Sequence, residues 1–202
     1  MNTKPILFNT EMVKAILEGR KTQTRRIIKP QPVNPQLFNL RWMVQSDGRD
    51  IPIASPYIPG DILWVRETWC EPYVPGEYAY RADYMYEYDI IPNPDGNIEL
   101  SVNMFRWHPS IHMPKDAARI FLRVRDVHPE KIQSIHADEC PSEGVWPLFS
   151  GFACDREKYY KTAFANLWDS TIKSGDREIY SWAANPWVWV IKFEQCEKPE
   201  GW

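Results

Sequence analysis

Between Gly19 and Arg26 the sequence reads Gly-Arg-Lys-Thr-Gln-Thr-Arg-Arg, a string dense in groups that move protons and hold anions. A lysine at a turn entering a packed sheet loses hydration. Its charged form becomes costly, and it can then act as a base. Lys21 has that place. Thr24, a few residues on, carries a hydroxyl that such a base can activate as a nucleophile. Arg26 offers a planar fork for a phosphate, a carboxylate or a base edge, and Arg25 adds a second cation beside it. The competing reading is a solvated basic strand edge, whose charges deter edge-to-edge pairing.

A second string, Gly60-Asp61-Ile62-Leu63-Trp64-Val65-Arg66-Glu67-Thr68-Trp69, reads as a turn followed by a strand. Alternation places Leu63, Val65 and Glu67 on one face and Trp64, Arg66 and Thr68 on the other. A carboxylate among apolar neighbours needs a partner, because burying it alone costs several kcal/mol (roughly). Lys21 or Arg26 would serve, and a purely structural ion pair is the other reading. Trp64, Trp69, Tyr78 and Tyr80 offer ring faces for a base, each stack worth about 1–3 kcal/mol. Such rings also pack cores.

The elements that must position these groups can be read from pattern. Met12, Val13, Ile16 and Leu17 form one apolar stripe of a short helix, with Thr10 as expected N-cap and Gly19 as stop. Residues 20–28 read as a turn into a strand. Residues 30–59 read as a long proline-rich loop, and 62–69, 78–84, 119–127 and 186–194 as strands. Residues 85–104 read as an insertion or hairpin turning at Asp95-Gly96. Helices are expected at about 136–143 and 155–173, the second with Tyr160, Phe164 and Trp168 on its apolar face. This order, without βαβ alternation, predicts an α+β fold built on a small barrel. The chain reads as a single domain, 1–202, with insertions at about 30–59 and 85–115.

Composition narrows the classes. The chain has 202 residues, with 10 Trp, 10 Tyr, 8 Phe and 18 Pro against 9 Gly. That ring load excludes a disordered chain. A net charge of −3 excludes a whole-surface duplex binder and leaves room for a local basic groove. No apolar run reaches membrane-spanning length, and Met1–Thr10 has no secretory pattern, so a cytoplasmic protein is expected. Cys70, Cys140, Cys154 and Cys196 form no CxxC pair, so reduced thiols and no disulfide-linked partner are expected. His108 and His112 are bracketed by Pro109 and Pro114, which argues for a loop and no metal. No phosphate-cradling glycine loop is present and no cofactor is expected.

The set Gly19–Arg26, Pro59-Gly60-Asp61 with its strand, and the final Trp187–Glu194 strand resembles the ASCH family, a relative of the PUA domain, most closely phage and prophage members. The resemblance spans about Pro5 to Glu194. It implies a PUA-like β-barrel with flanking helices and a cleft beside the first helix suited to a nucleobase or RNA. Some small bacterial members are amidohydrolases that remove the acetyl group of acetylated cytidine, and their catalytic Lys and Thr match Lys21 and Thr24. The resemblance places their catalytic glutamate on the strand matching Arg119–Val127, where this sequence carries Arg123. Glu67 is the carboxylate expected in its stead.

The leading expectation is recognition of a nucleobase, in RNA or as a nucleoside or nucleotide, by Arg25, Arg26, Trp64, Arg66, Trp69, Tyr80 and Arg123. The alternative is an amidohydrolase acting on acylated cytidine through Lys21, Thr24 and Glu67. Convergence of Lys21, Thr24 and a carboxylate in one pocket would favour hydrolysis. Glu67 turned away, with Arg123 filling the site, would favour binding. A third reading makes 85–115 a partner surface through Trp107, Ile111 and Met113, against rings that cap the barrel end.

Overall fold

The computed structural model describes residues 2–32, 36–38, 41–46, 49–71, 77–84, 89–92, 98–101, 106–146 and 155–202. Strand β1 (Thr3–Leu7), which sequence pattern did not reveal, precedes helix α1 (Thr10–Leu17). The helix is capped by Asn9, whose side chain accepts from the Met12 amide at 2.9 Å, one residue before the expected Thr10. Gly19, at φ +74°, turns the chain off the helix into β2 (Gln23–Ile27). Strands β3 (Gln36–Phe38), β4 (Arg41–Ser46) and β5 (Arg49–Pro52) form an antiparallel meander where a loop was expected. Proline density hid it, because prolines flank these short strands more than they interrupt them.

Strand β6 (Ile62–Arg66) follows the Gly60 turn, and β7 (Trp69–Cys70) pairs with β8 (Ala79–Tyr80). Strands β9 (Asp89–Pro92) and β10 (Ile98–Ser101) form the expected antiparallel pair, while Asp95 and Gly96 lie outside the described residues. Strand β11 (Phe121–Lys131) runs longer than its sequence pattern. The helix expected at 136–143 is two 3-10 turns, Ala137–Glu139 and Pro141–Glu143. Pro141 clashes with a continuing α-helix and Gly144 ends the segment in left-handed conformation. Helix α2 (Arg156–Thr171), capped by Asp155, helix α3 (Arg177–Tyr180) and strand β12 (Trp187–Cys196) complete the chain.

The main sheet is mixed and five-stranded, in the order β1-β6-β11-β12-β2, with β1 parallel to β6 and the other pairs antiparallel. Strand β12 is buried on both faces, which explains its nearly continuous apolar sequence. Trp189, Ile191 and Phe193 join Ile6, Leu63, Val65, Val124 and the Val13–Ile16 face of α1 in one core. Val188 joins Tyr160, Phe164 and Trp168 of α2, with Ile132 and Ile135, in a second. Full burial of an aliphatic side chain such as Ile16 is worth about 1.5–3 kcal/mol. The sheet curls, so its two edges approach: Arg26 on β2 donates to the Leu7 carbonyl of β1 at 2.8 Å. Among the described residues, no helix is long and apolar enough to cross a membrane, and Cys70, Cys140 and Cys196 are free thiols.

Candidate active site

The approach of the two sheet edges leaves a cavity of about 410 Å³. Leu7 and Phe8 at the end of β1, Met12 of α1, and Lys21, Thr24, Arg25 and Arg26 of the turn and β2 line one side. Phe164, Leu167, Trp168 and Thr171 of α2 line another, and Glu143, Thr68, Pro109 and Ser110 complete it. The cavity is therefore mostly apolar with a polar end, as small-molecule sites commonly are.

The Lys21 side chain is aimed inward by its backbone. Its amide donates to the Ala15 carbonyl at 2.9 Å, closing the turn after α1. Thr22 is then clamped from both sides: its amide donates to Ser142 O at 2.9 Å, and its carbonyl accepts from the Phe193 amide at 2.8 Å. The clamp fixes the 141–143 turn against β2. Glu143, 4% exposed, lands against Lys21, also 4% exposed. Lys21 Nζ donates to the Glu143 carbonyl at 2.6 Å and lies 3.4 Å from Glu143 Oε2. Burial pushes the Lys21 ammonium down to about 8; Glu143 opposes that fall, and Arg26 and Arg25 add to it. Thr24 is buried on the next strand and lines the same cavity.

Gly144 makes the approach possible. Its φ is +84°, and an added Cβ would meet Met12 Sδ at 3.1 Å, Ala15 Cβ at 3.2 Å and Lys21 Cδ at 3.3 Å. Gly144→Ala is therefore expected to lower stability by about 1–3 kcal/mol, from left-handed strain plus crowding of the Lys21 stem. A urea midpoint series checks it. An unchanged midpoint would mean that the turn relaxes freely.

Lys21, Thr24, Arg25 and Arg26 thus share one cavity. The other residues singled out by sequence do not line it. Glu67, 1% exposed, is held by Arg119, with Nε at 2.9 Å from Oε1 and Nη2 at 3.0 Å from Oε2. Arg119 also bonds Asp83 at 2.7 Å and lies 3.9 Å from the Tyr80 ring centroid. The partner of Glu67 is therefore Arg119, not Lys21 or Arg26, and the arrangement matches the structural ion pair. Burial raises the Glu67 carboxyl, and the Arg119 hydrogen bonds and charge oppose that rise.

Trp64 packs edge-on against Trp202 at 5.8 Å, with the Arg66 guanidinium 5.5 Å from its ring. Trp69 packs on Tyr78 and His108, and the Tyr80 hydroxyl donates to Ala117 O at 2.6 Å. Arg123 sits half-buried on β11, opposite Ile62 and Glu194. These rings gather around Met113 and Phe121 in a third apolar cluster. Of the residues of a possible partner surface, Met113 is buried, Trp107 is half-buried and Ile111 is 60% exposed.

The site residues that sequence reasoning missed are Glu143, Phe8, Phe164 and Trp168. Phe164 and Trp168 were expected as core and are core, with one side turned to the cavity. The signal for Glu143 was a carboxylate directly before a glycine that ends a turn. Among the described residues, no group of three or more His, Cys, Asp or Glu is arranged to hold a metal ion.

No family model matches the chain. No curated protein matches it by sequence. Among solved structures it is similar to an ASCH domain from Lactobacillus crispatus JV V101, with 12% identity and a TM-score of 0.39, over 96% of this chain and 79% of that one.

Proposed function

We propose that this protein binds a nucleobase in the Lys21 cavity and hydrolyses an amide on its exocyclic amine, with acylated cytidine as the substrate class. One observation carries the reading: Lys21, Thr24 and the Glu143 carboxylate meet in a single cavity of about 410 Å³. The substrate class follows the resemblance of Gly19–Arg26 to the amidohydrolases of the ASCH family. The same reading takes the curled sheet as a PUA-like barrel.

In this mechanism, neutral Lys21 takes the Thr24 hydroxyl proton as Oγ1 attacks the acyl carbon. Arg26, lining the same cavity, stabilises the oxyanion that forms. The Lys21 ammonium returns the proton to the exocyclic nitrogen as the C–N bond breaks, and the free amine leaves. Water then attacks the acyl-Thr24 ester, with Lys21 again accepting and returning a proton, and the carboxylic acid departs. One water is consumed for each amide cleaved. Glu143 takes the carboxylate role expected of Glu67, holding Lys21 through its carbonyl and carboxylate. Phe8, Phe164 and Trp168 supply apolar walls for the base.

A second reading is recognition of a base, in RNA or as a nucleoside, without turnover. It draws on the 2.6 Å bond from Lys21 to the Glu143 carbonyl, since a tethered, charged lysine is a donor and not a base. Incubation with acetylated cytidine separates the two. Hydrolysis is expected to release cytidine and acetate in equal amounts, and Thr24→Val to reduce the rate at least about a hundredfold while binding persists. Binding without turnover at pH 9 would leave the recognition reading. Absence of binding to nucleosides and to single-stranded RNA at low salt would remove both.

A further inference from the structure

Outward from Glu143 runs a line of charges that the hydrolytic steps do not use. Glu143 turns Oε2 to Lys21, while its Oε1 accepts from Arg25 Nη1 at 2.7 Å. Arg25 Nη2 donates to Glu130 Oε1 at 3.1 Å and to Glu139 Oε2 at 3.0 Å. Glu130 in turn faces His128, 3.8 Å from its Nε2, and His128 Nδ1 lies 2.7 Å from Asp126. The Arg25 side chain has no exposure at all, whereas Glu130 and Glu139 reach solvent at 21% and 28%. The Phe164 ring, 5.8 Å from the guanidinium, closes it from α2.

One carboxylate would suffice to neutralise a buried arginine. Three converge here, one of them shared with the lysine of the cavity. Resting on the hydrolytic reading, we propose that Arg25 is a positioning residue. It holds the Glu143 carboxylate and draws off part of its charge, so that Lys21 remains available as a base, while Glu130 and Glu139 fix the guanidinium from outside.

The sign follows from the charges around Lys21. Glu143 favours the ammonium; Arg25 and Arg26 oppose it. Around Arg25 stand Glu143, Glu130 and Glu139, with His128 beyond Glu130, and the Cys140 thiol and Lys161 nearby. Removing the Arg25 charge frees Glu143 to act on Lys21 alone and removes one repelling cation. Both changes raise the proton affinity of Lys21. Arg25→Lys keeps the charge and loses the fork that reaches three carboxylates.

Two titrations on the full chain test this. The first follows Lys21 acylation by a small amine-reactive reagent against pH, read by peptide mass spectrometry, and needs no enzymatic turnover. The second follows kcat/KM on acetylated cytidine against pH. Arg25→Gln is expected to move both midpoints up by about one pH unit. Arg25→Lys is expected to hold the midpoint near that of the native protein while lowering the rate. A fall in rate with both midpoints unmoved would overturn the proposal and leave Arg25 purely structural. A moved acylation midpoint in a protein without turnover would sink the hydrolytic reading and keep Arg25 as the group that sets Lys21. Should Arg25→Gln not fold, Glu139→Gln decides. It leaves Arg25 leaning harder on Glu143, so the Lys21 midpoint must fall; an unmoved or raised midpoint overturns the proposal.

Discussion

Lys21→Ala is expected to lower kcat/KM on acetylated cytidine by about 10²–10⁴-fold, the usual range for loss of a general base. The pH dependence sharpens the test. Lys21 is pushed from 10.5 down to about 8, and in the proposed mechanism the neutral amine is the form that acts. At pH 7 roughly one-tenth of such a group is neutral, and above pH 9 nearly all of it is. The native rate should therefore climb through pH 8 and level off above it. The Lys21→Ala rate should be low and lack that limb. Lys21→Arg separates the two roles of the residue: it preserves a cation beside Glu143 and cannot give up its proton near neutral pH. Loss of the limb in both variants supports base catalysis. A limb that persists in Lys21→Ala would assign it to another group and end the proposed role.

What the sequence disclosed about this site was local. Gly19, Lys21 and Thr24 lie within one helix stop and the start of one strand. A left-handed glycine and strand alternation are enough to turn the lysine inward and place the threonine on the next strand. The α+β class was equally local, because β2, β6 and β11 can each be read from their own stretch of sequence, although β1 and β3–β5 could not. Glu143 was hidden because it lies 122 residues from Lys21 in the chain, in a segment whose apolar spacing suggested a helix. Pro141 and Gly144 break that helix into two turns, and only the broken form presents the carboxylate to β2.

Glu67 illustrates the opposite limit. Its place directly after β6, among buried neighbours, demanded a cation, but any arginine or lysine satisfies that demand on paper. Sheet order decides among them, and β6 is separated from β2 by β11 and β12. Arg119, just before β11, is the cation within reach. The same separation explains the rings. Trp64, Trp69 and Tyr80 follow the basic strand in sequence and pack around Met113 and Phe121 in space.

Glu143→Ala is expected to cost about 3–5 kcal/mol of stability, because it strands the buried Lys21 ammonium and takes from the buried Arg25 one of its three carboxylates, leaving it Glu130 and Glu139. Lys21 and Arg25 differ in how they escape that situation. Lys21 can release its proton; Arg25 cannot at any pH the fold survives. Without Glu143 the folded-state value for Lys21 drops below about 8, while the unfolded value stays near 10.5. Below the folded value the unfavourable burial of the ammonium is fully present. As pH rises toward 10.5, the unfolded chain holds a proton that the folded chain lacks, so folded stability rises. The deficit of Glu143→Ala relative to the native protein should therefore be larger at pH 7 than at pH 9, with a remainder set by Arg25. Urea denaturation at the two pH values measures it. Adding Lys21→Met to Glu143→Ala should recover part of the loss at pH 7 and little at pH 9, since methionine fills the space without the charge. A deficit that is equal at both pH values, or a double variant whose loss equals the sum of the singles, would mean that Lys21 and Glu143 are not energetically coupled. The carboxylate would then belong to Arg25 alone.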